Sequence, residues 1–306
     1  MVEGPAITSW RPAKRPDPGA MSSLRRRVVD RWRLFLPPLL AVLLAMMATP
    51  PRRTDAPGFA SGRAQIVLVG DSITQQGTRP GGIHCLLADR YRRKADVINR
   101  GYSGYNSRHM KVLIERHKAA GSWAFAHHPT LFTLWLGAND AVLPSEPQHV
   151  PVDEYRGNLV DLVDLIADRR RTGRGDFLVL LTPPPIDNAA YDADCIRKGY
   201  SAGTRSLDGV RPYVDACLEV GRLCNVPVID VFQAMLAAPN WTAFLSDGLH
   251  LSPAGYEFVY GLLCDVISGA VPQLDAERLP LDAPVHRHIR LGHEDPWADA
   301  DPYESV

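Results

Sequence analysis

The sequence predicts an α/β protein, a parallel sheet covered on both faces by helices. Two observations carry that prediction. From Arg63 onward, five short apolar runs alternate with longer segments of helical spacing. The runs are continuous rather than alternating, the pattern of strands buried on both faces. Such alternation at a regular pitch builds crossover units and a parallel sheet.

The elements follow in order. The predicted strands are 66–69 (IVLV), 97–98 (VI), 131–136 (LFTLWL), 177–181 (FLVLL) and 226–231 (VPVIDV). The predicted helices are 83–93, 108–120, 152–171, 210–223 and 254–268. In the fourth of these, Val210, Val214, Cys217, Leu218 and Val220 recur at intervals that a helix buries along one stripe. Ser252-Pro253 reads as the N-cap and first position of the last helix. No internal repeat is present.

Residues 1–62 read differently. Of the 34 Lys and Arg residues, ten fall within residues 1–53, against only three of the 34 Asp and Glu. The chain is therefore a basic leader ahead of a mildly acidic body. Within the leader, five arginines between residues 25 and 33 directly precede an apolar stretch at 34–48 (LFLPPLLAVLLAMMA). Its 15 residues fall short of the roughly 20 that span a bilayer as a helix. Basic flank and length suit a signal-peptide hydrophobic region, an organelle-targeting leader, or a disordered extension. The leader implies membrane contact through 34–48, with a membrane-associated, secretory or organellar location if it functions and a cytoplasmic one otherwise. Residues 63–270 form the expected folded domain. Residues 271–306, rich in Pro and charge, are expected over its surface or partly disordered.

Composition excludes some classes of function. Overall charge is balanced, and the leader lacks aromatic interleaving or a recognisable nucleic-acid module, so no nucleic-acid partner is expected. The five cysteines (Cys85, Cys195, Cys217, Cys224, Cys264) show no zinc-ligand spacing. They read as scattered thiols, with a Cys217–Cys224 or Cys195–Cys217 bridge open to an exported protein. His127-His128 is a poor metal pair, because adjacent side chains on a strand or helix point in different directions.

Four short polar stretches fall at one end of the predicted sheet. Gly70-Asp71-Ser72 directly follows the first strand; Ser72 is either a helix N-cap or a nucleophile. NRGYSGYNS (99–107) follows the second, and its glycines Gly101 and Gly104 permit close backbone approach. LWLGANDA (134–141) leaves Asn139 and Asp140 at the end of a strongly apolar run. LSDGLHLSPAGYEF (245–258) sets Asp247 and His250 three residues apart ahead of the last helix. Each is an ordinary turn or cap by itself, but open α/β sheets place their sites at the strands' carboxyl ends. There the chemistry fits together. Ser72 needs a base, His250 can supply one, and Asp247 can hold the other imidazole nitrogen. The backbone N–H groups of Ser72 and Gly104 and the Asn139 amide can serve an oxyanion.

GDSIT with Ser72, SGYN with Gly104, GAND with Asn139 and DGLH with Asp247 and His250 together resemble the SGNH/GDSL hydrolase superfamily. Within it, LADRYRRKADVINRGYSGYNSR, HVPVDEYRGNLVDLV, LLTPPPID and FLSDGLHLSPAGYEF are similar to the isoamyl acetate-hydrolysing esterase family. The resemblance covers about residues 63–267. It implies a flavodoxin-like three-layer α/β/α sandwich with a central five-stranded parallel sheet, and no metal or organic cofactor. It also implies a small-molecule substrate, a short-chain acyl ester of the acetate type. Two departures, Val69 and Ile83, stand where relatives often carry an aromatic residue and a tryptophan. An acyltransferase, or a deacetylase of sugars or lipids, would use the same residues. A non-catalytic module holding an acylated ligand is the reading from another class. Tyr191 and Tyr200, in the segment 186–207, are candidates for covering the substrate.

Overall fold

The computed structural model describes residues 62–123, 130–167, 176–292, 296–297 and 300–303. The leader with its apolar stretch and the His127-His128 pair lie outside the described residues.

Five parallel strands form one sheet: β1 (Ala64–Gly70), β2 (Ala95–Gly101), β3 (Thr130–Trp135), β4 (Phe177–Leu181) and β5 (Val228–Ile229). Their order is β2-β1-β3-β4-β5. The chain passes outward from β1 to β2, then crosses back to add β3 on the other side of β1. That reversal opens a crevice above the carboxyl ends of β1 and β3, where doubly wound sheets take their ligands. Register aligns those ends: Gly70 lies opposite Gly101 of β2 and Trp135 of β3. Every residue of β1 and β3 is buried, as their continuous apolar sequences require. Val69 is enclosed in β1.

The helices are α1 (Ser72–Gln76), α2 (Ile83–Arg90), α3 (Ser107–Ala119), α4 (Val152–Ala167), α5 (Asn188–Arg197), α6 (Leu207–Cys224), α7 (Val231–Leu236) and α8 (Pro253–Ala270). On the layers flanking the sheet, α3, α4 and α6 pack side by side, and α2 pairs with α8. Ile83 is buried at the first position of α2.

Three differences from the sequence prediction have local causes. Strand β2 extends well beyond 97–98, because Asp96, Asn99 and Arg100 belong to an edge strand that is only half covered. The run at 226–231 divides: the Asp230 carboxylate accepts the Gln233 N–H at 3.0 Å, and capping there starts α7 in place of more strand. Helix α5 falls in the segment 186–207, to which the sequence assigns no element, and is opened by Asp187, whose side chain accepts from the Ala190 N–H.

Beyond α8 the chain is laid against the domain. Val271, Leu274, Ala276 and Leu281 are buried, and the Tyr91 hydroxyl donates to the Leu274 carbonyl at 2.9 Å. Lys94 Nζ donates to the Ala276 carbonyl at 2.6 Å, and Asp282 pairs with Arg63 at 2.7 Å and Arg93 at 3.5 Å. None of the five cysteines is in a disulfide, and burial pushes the Cys217 thiol up to about 12.

Candidate active site

The carboxyl end of β1 decides between the two readings of Ser72. Asp71 is the N-cap of α1, its carboxylate accepting the Ile73 N–H at 2.8 Å. Ser72 is therefore the first helical residue, and its hydroxyl is not spent on capping. Instead it lies 2.9 Å from His250 Nε2. The Ser72 N–H, at the start of a helix, has no carbonyl one turn before it to meet. Among the described residues it donates to no protein group.

His250 is held from its other side. Its Nδ1 is 2.7 Å from Asp247 Oδ2, and Asp247 Oδ1 accepts the N–H groups of Leu249 at 3.1 Å and His250 at 2.8 Å. Burial alone would raise the Asp247 carboxyl, but the hydrogen bond and charge of His250 outweigh it and bring it down to about 2. An ionised carboxylate only accepts, so Nδ1 carries the imidazole proton in the neutral ring. Nε2 is then left to accept from the Ser72 hydroxyl. The three groups form one continuous chain of hydrogen bonds.

The loop that carries them is braced by α5. Gly248 has φ +84, and a Cβ there would stand 2.3 Å from the Tyr191 nitrogen and 2.6 Å from the Asp187 carbonyl. Only glycine combines that backbone angle with so close an approach. The Asp187 N–H donates to the Gly248 carbonyl at 2.9 Å, closing the contact.

Gly104 and Asn139 come to the same crevice from β2 and β3. Gly104, at φ +78, makes the turn between β2 and α3, and its carbonyl accepts from Gln148 Nε2 at 2.6 Å. Its own N–H donates to no other described group. Asn139 is buried and gives one Nδ2 hydrogen to the Tyr105 carbonyl at 2.8 Å, which leaves the second available. Its Oδ1 accepts from Arg205 Nη2 at 2.8 Å. All five candidate residues thus lie at one end of the sheet.

Several residues at the site were not expected. Arg205 and Gln148 bind the backs of Asn139 and Gly104, and nothing in SAGTRSL or SEPQHV marks them locally. Tyr191, a candidate cover for substrate, is buried, and its hydroxyl accepts from Arg205 Nη1. Tyr200 is 70% exposed. Lys198 Nζ stands 3.9 Å from Asp247 Oδ2.

Two buried carboxyls flank the site. Burial pushes Asp71 up to about 7, against the opposing pull of the Ile73 N–H and of His250. Burial likewise pushes Asp140 up to about 6, although the Ser107 hydroxyl and N–H draw it down. Folding therefore favours the protonated form of each, relative to an ordinary value of 3.8. Their contribution to stability is fully present below about 4 and is lost as pH rises through about 6 for Asp140 and about 7 for Asp71. Urea unfolding from pH 4 to 8 is expected to show this. The stability of Asp71→Asn minus that of the wild type should rise by about 4 kcal/mol between pH 4 and 7 and then level off. A difference that stays flat across that range would contradict the assignment.

Residues 68–258 match the GDSL-like Lipase/Acylhydrolase family. The chain is 41% identical to the isoamyl acetate-hydrolyzing esterase 1 homolog of Mus musculus over 222 residues, covering 70% of this chain and 87% of the relative. It is 37% identical to the Homo sapiens homolog, covering 74% and 88%. A GDSL esterase/lipase of Arabidopsis thaliana is also 37% identical, covering 74% and 94%. Among solved structures, a lipase/acylhydrolase from Enterococcus faecalis superposes with a TM-score of 0.52 at 27% identity, covering 68% of this chain and 96% of its own. The fold, the sequence match and these relatives converge: the chain belongs to the GDSL-like lipase/acylhydrolase family, and it is a carboxylic ester hydrolase.

Proposed function

We propose that the protein hydrolyses short-chain, acetate-type esters through an acyl-enzyme formed on Ser72. The observation that carries this reading is the unbroken chain from Ser72 Oγ through His250 to Asp247. Ser72 Oγ attacks the ester carbonyl carbon while His250 Nε2 takes the hydroxyl proton. Asp247 holds the ring in that tautomer and balances the imidazolium. The negative oxygen of the tetrahedral intermediate is met by the N–H groups of Ser72 and Gly104 and by the second Nδ2 hydrogen of Asn139. His250 then returns its proton to the departing alcohol oxygen, leaving the acyl group on Ser72. Water enters by the reverse route: its oxygen bonds to the acyl carbon while His250 takes its proton. The bond from that carbon to Ser72 Oγ then breaks, and His250 returns the proton to Ser72 as the carboxylic acid leaves. Relatives named for isoamyl acetate hydrolysis support the acetate-type substrate.

The test is hydrolysis of p-nitrophenyl acetate, butyrate and octanoate, together with labelling by a fluorophosphonate mapped by mass spectrometry. Turnover should fall as the acyl chain lengthens, and the label should sit on Ser72. A folded protein that takes no label at Ser72 would overturn the acyl-enzyme mechanism. Turnover that rises toward octanoate would overturn the substrate class. Alcohol added at rising concentration separates hydrolase from transferase, since a transferase diverts acyl groups from water in proportion.

A further inference from the structure

We infer that Arg205 is a positioning residue that sets the orientation of the oxyanion donors; the inference rests on the reading of the site just given. Arg205 lies just ahead of α6, within the matched residues 68–258 but outside the short motifs quoted from the sequence. Its guanidinium reaches four acceptors. Nε donates to the Ala138 carbonyl at 3.1 Å, and Nη1 donates to the Tyr191 hydroxyl. Nη2 donates to Asn139 Oδ1 at 2.8 Å and to Gln148 Oε1 at 3.4 Å. A guanidinium has five N–H donors, so this one is nearly spent on the protein. It acts through its neighbours rather than on substrate.

Two of those neighbours, Asn139 and Gln148, are primary amides, whose two ends differ only in being acceptor or donor. A cation fixed at Oδ1 of Asn139 forbids the flipped amide, because that would set NH2 against N–H. Nδ2 is thereby directed away, with one hydrogen on the Tyr105 carbonyl and the other left for the oxyanion. The same rule applies to Gln148. With Oε1 toward Arg205, its Nε2 faces the Gly104 carbonyl at 2.6 Å and holds the turn at φ +78. One side chain therefore orients a donor from β3 directly and a donor from the β2 turn through an intermediary. A charged donor on Oδ1 also draws density from the amide, which strengthens the Nδ2 hydrogen facing the oxyanion.

The experiment is a double-mutant cycle. Arg205→Met, Asn139→Ala and the double variant are compared for p-nitrophenyl acetate hydrolysis, with Ser72→Ala as reference and thermal unfolding of each. Arg205→Met should lower kcat roughly 10- to 100-fold, with KM within about twofold, since misplaced donors affect the transition state more than ground-state binding. Asn139→Ala should lower kcat by about 10² to 10³. The double variant should fall well short of the product of the two losses, because the share of the Arg205 effect that runs through Asn139 cannot be lost twice and only the share through Gln148 and Gly104 remains. If Arg205→Met does not fold, Arg205→Lys completes the cycle, its single ammonium being unable to serve both amides in one plane. A double variant showing the full product of the two losses, or a KM rise that carries the whole effect, overturns the role given to Arg205. Activity within about a hundredfold of wild type in Ser72→Ala would overturn the reading of the site itself, and the inference with it.

Discussion

Ser72→Ala is expected to lower kcat for ester hydrolysis by roughly 10⁶-fold without changing the folded structure. The hydroxyl is bonded to His250 Nε2 and to no other described group. Asp71, not Ser72, caps α1, so removing the oxygen leaves the helix start intact. The oxyanion donors also survive, since the Ser72 N–H is a backbone group. A residual rate of about 10³ to 10⁴ over water is therefore expected from positioning and oxyanion binding alone. Steady-state turnover of p-nitrophenyl acetate, read beside the thermal midpoint, decides the matter. A folded variant that keeps even one-hundredth of the wild-type kcat would remove Ser72 from the chemistry.

Asp247→Asn is expected to lower kcat by about 10⁴-fold, again with the loop preserved. Asp247 divides its two oxygens between two tasks. Oδ1 receives the N–H groups of Leu249 and His250, and an asparagine Oδ1 can go on doing so. Oδ2 faces His250 Nδ1, and there asparagine presents NH2 instead of an acceptor. The ring answers by moving its proton to Nε2, which then points a hydrogen at Ser72 in place of a lone pair. Geometry is kept and the base is lost. A ring-nitrogen NMR spectrum should show the exchanged tautomer, and kcat should fall while the thermal midpoint holds. Equal activity in the two proteins would show that Asp247 serves only the loop.

Much of this was legible in the sequence, for identifiable reasons. Strands β1, β3 and β4 are buried on both faces, so their side chains carry an unbroken apolar signal. Edge position erased that signal from most of β2, where Asn99 and Arg100 meet partial solvent. The short helices α1 and α7 hold too few turns for a period to emerge, and α5 buries only Tyr191 and Cys195, too few to mark a stripe; caps at Asp71, Asp187 and Asp230 start them. Of the candidate site, the residues the sequence singled out and the fold brings together are Ser72, Gly104, Asn139, Asp247 and His250, where chemistry and backbone coincide. Arg205 and Gln148 were not singled out. Their partners lie 66 and 44 residues away, and their importance comes from which end of an amide they face. No local pattern encodes such a relation.

The hydrogen bond between Ser72 and His250 joins positions 178 apart, and the Tyr256 hydroxyl reaches the Ile73 carbonyl across 183 at 2.7 Å. Both tie the turn leaving the first strand to the region around the last helix. Long sequence separation makes such closures costly in chain entropy, and slow to form. These groups meet only once the loop ahead of the last helix has docked against the first strand's carboxyl end. During refolding, ester turnover should therefore return after the far-ultraviolet helix signal, in step with the last tertiary phase. The reacting atoms serve as a built-in reporter of chain closure, silent until the two ends of the domain have found each other.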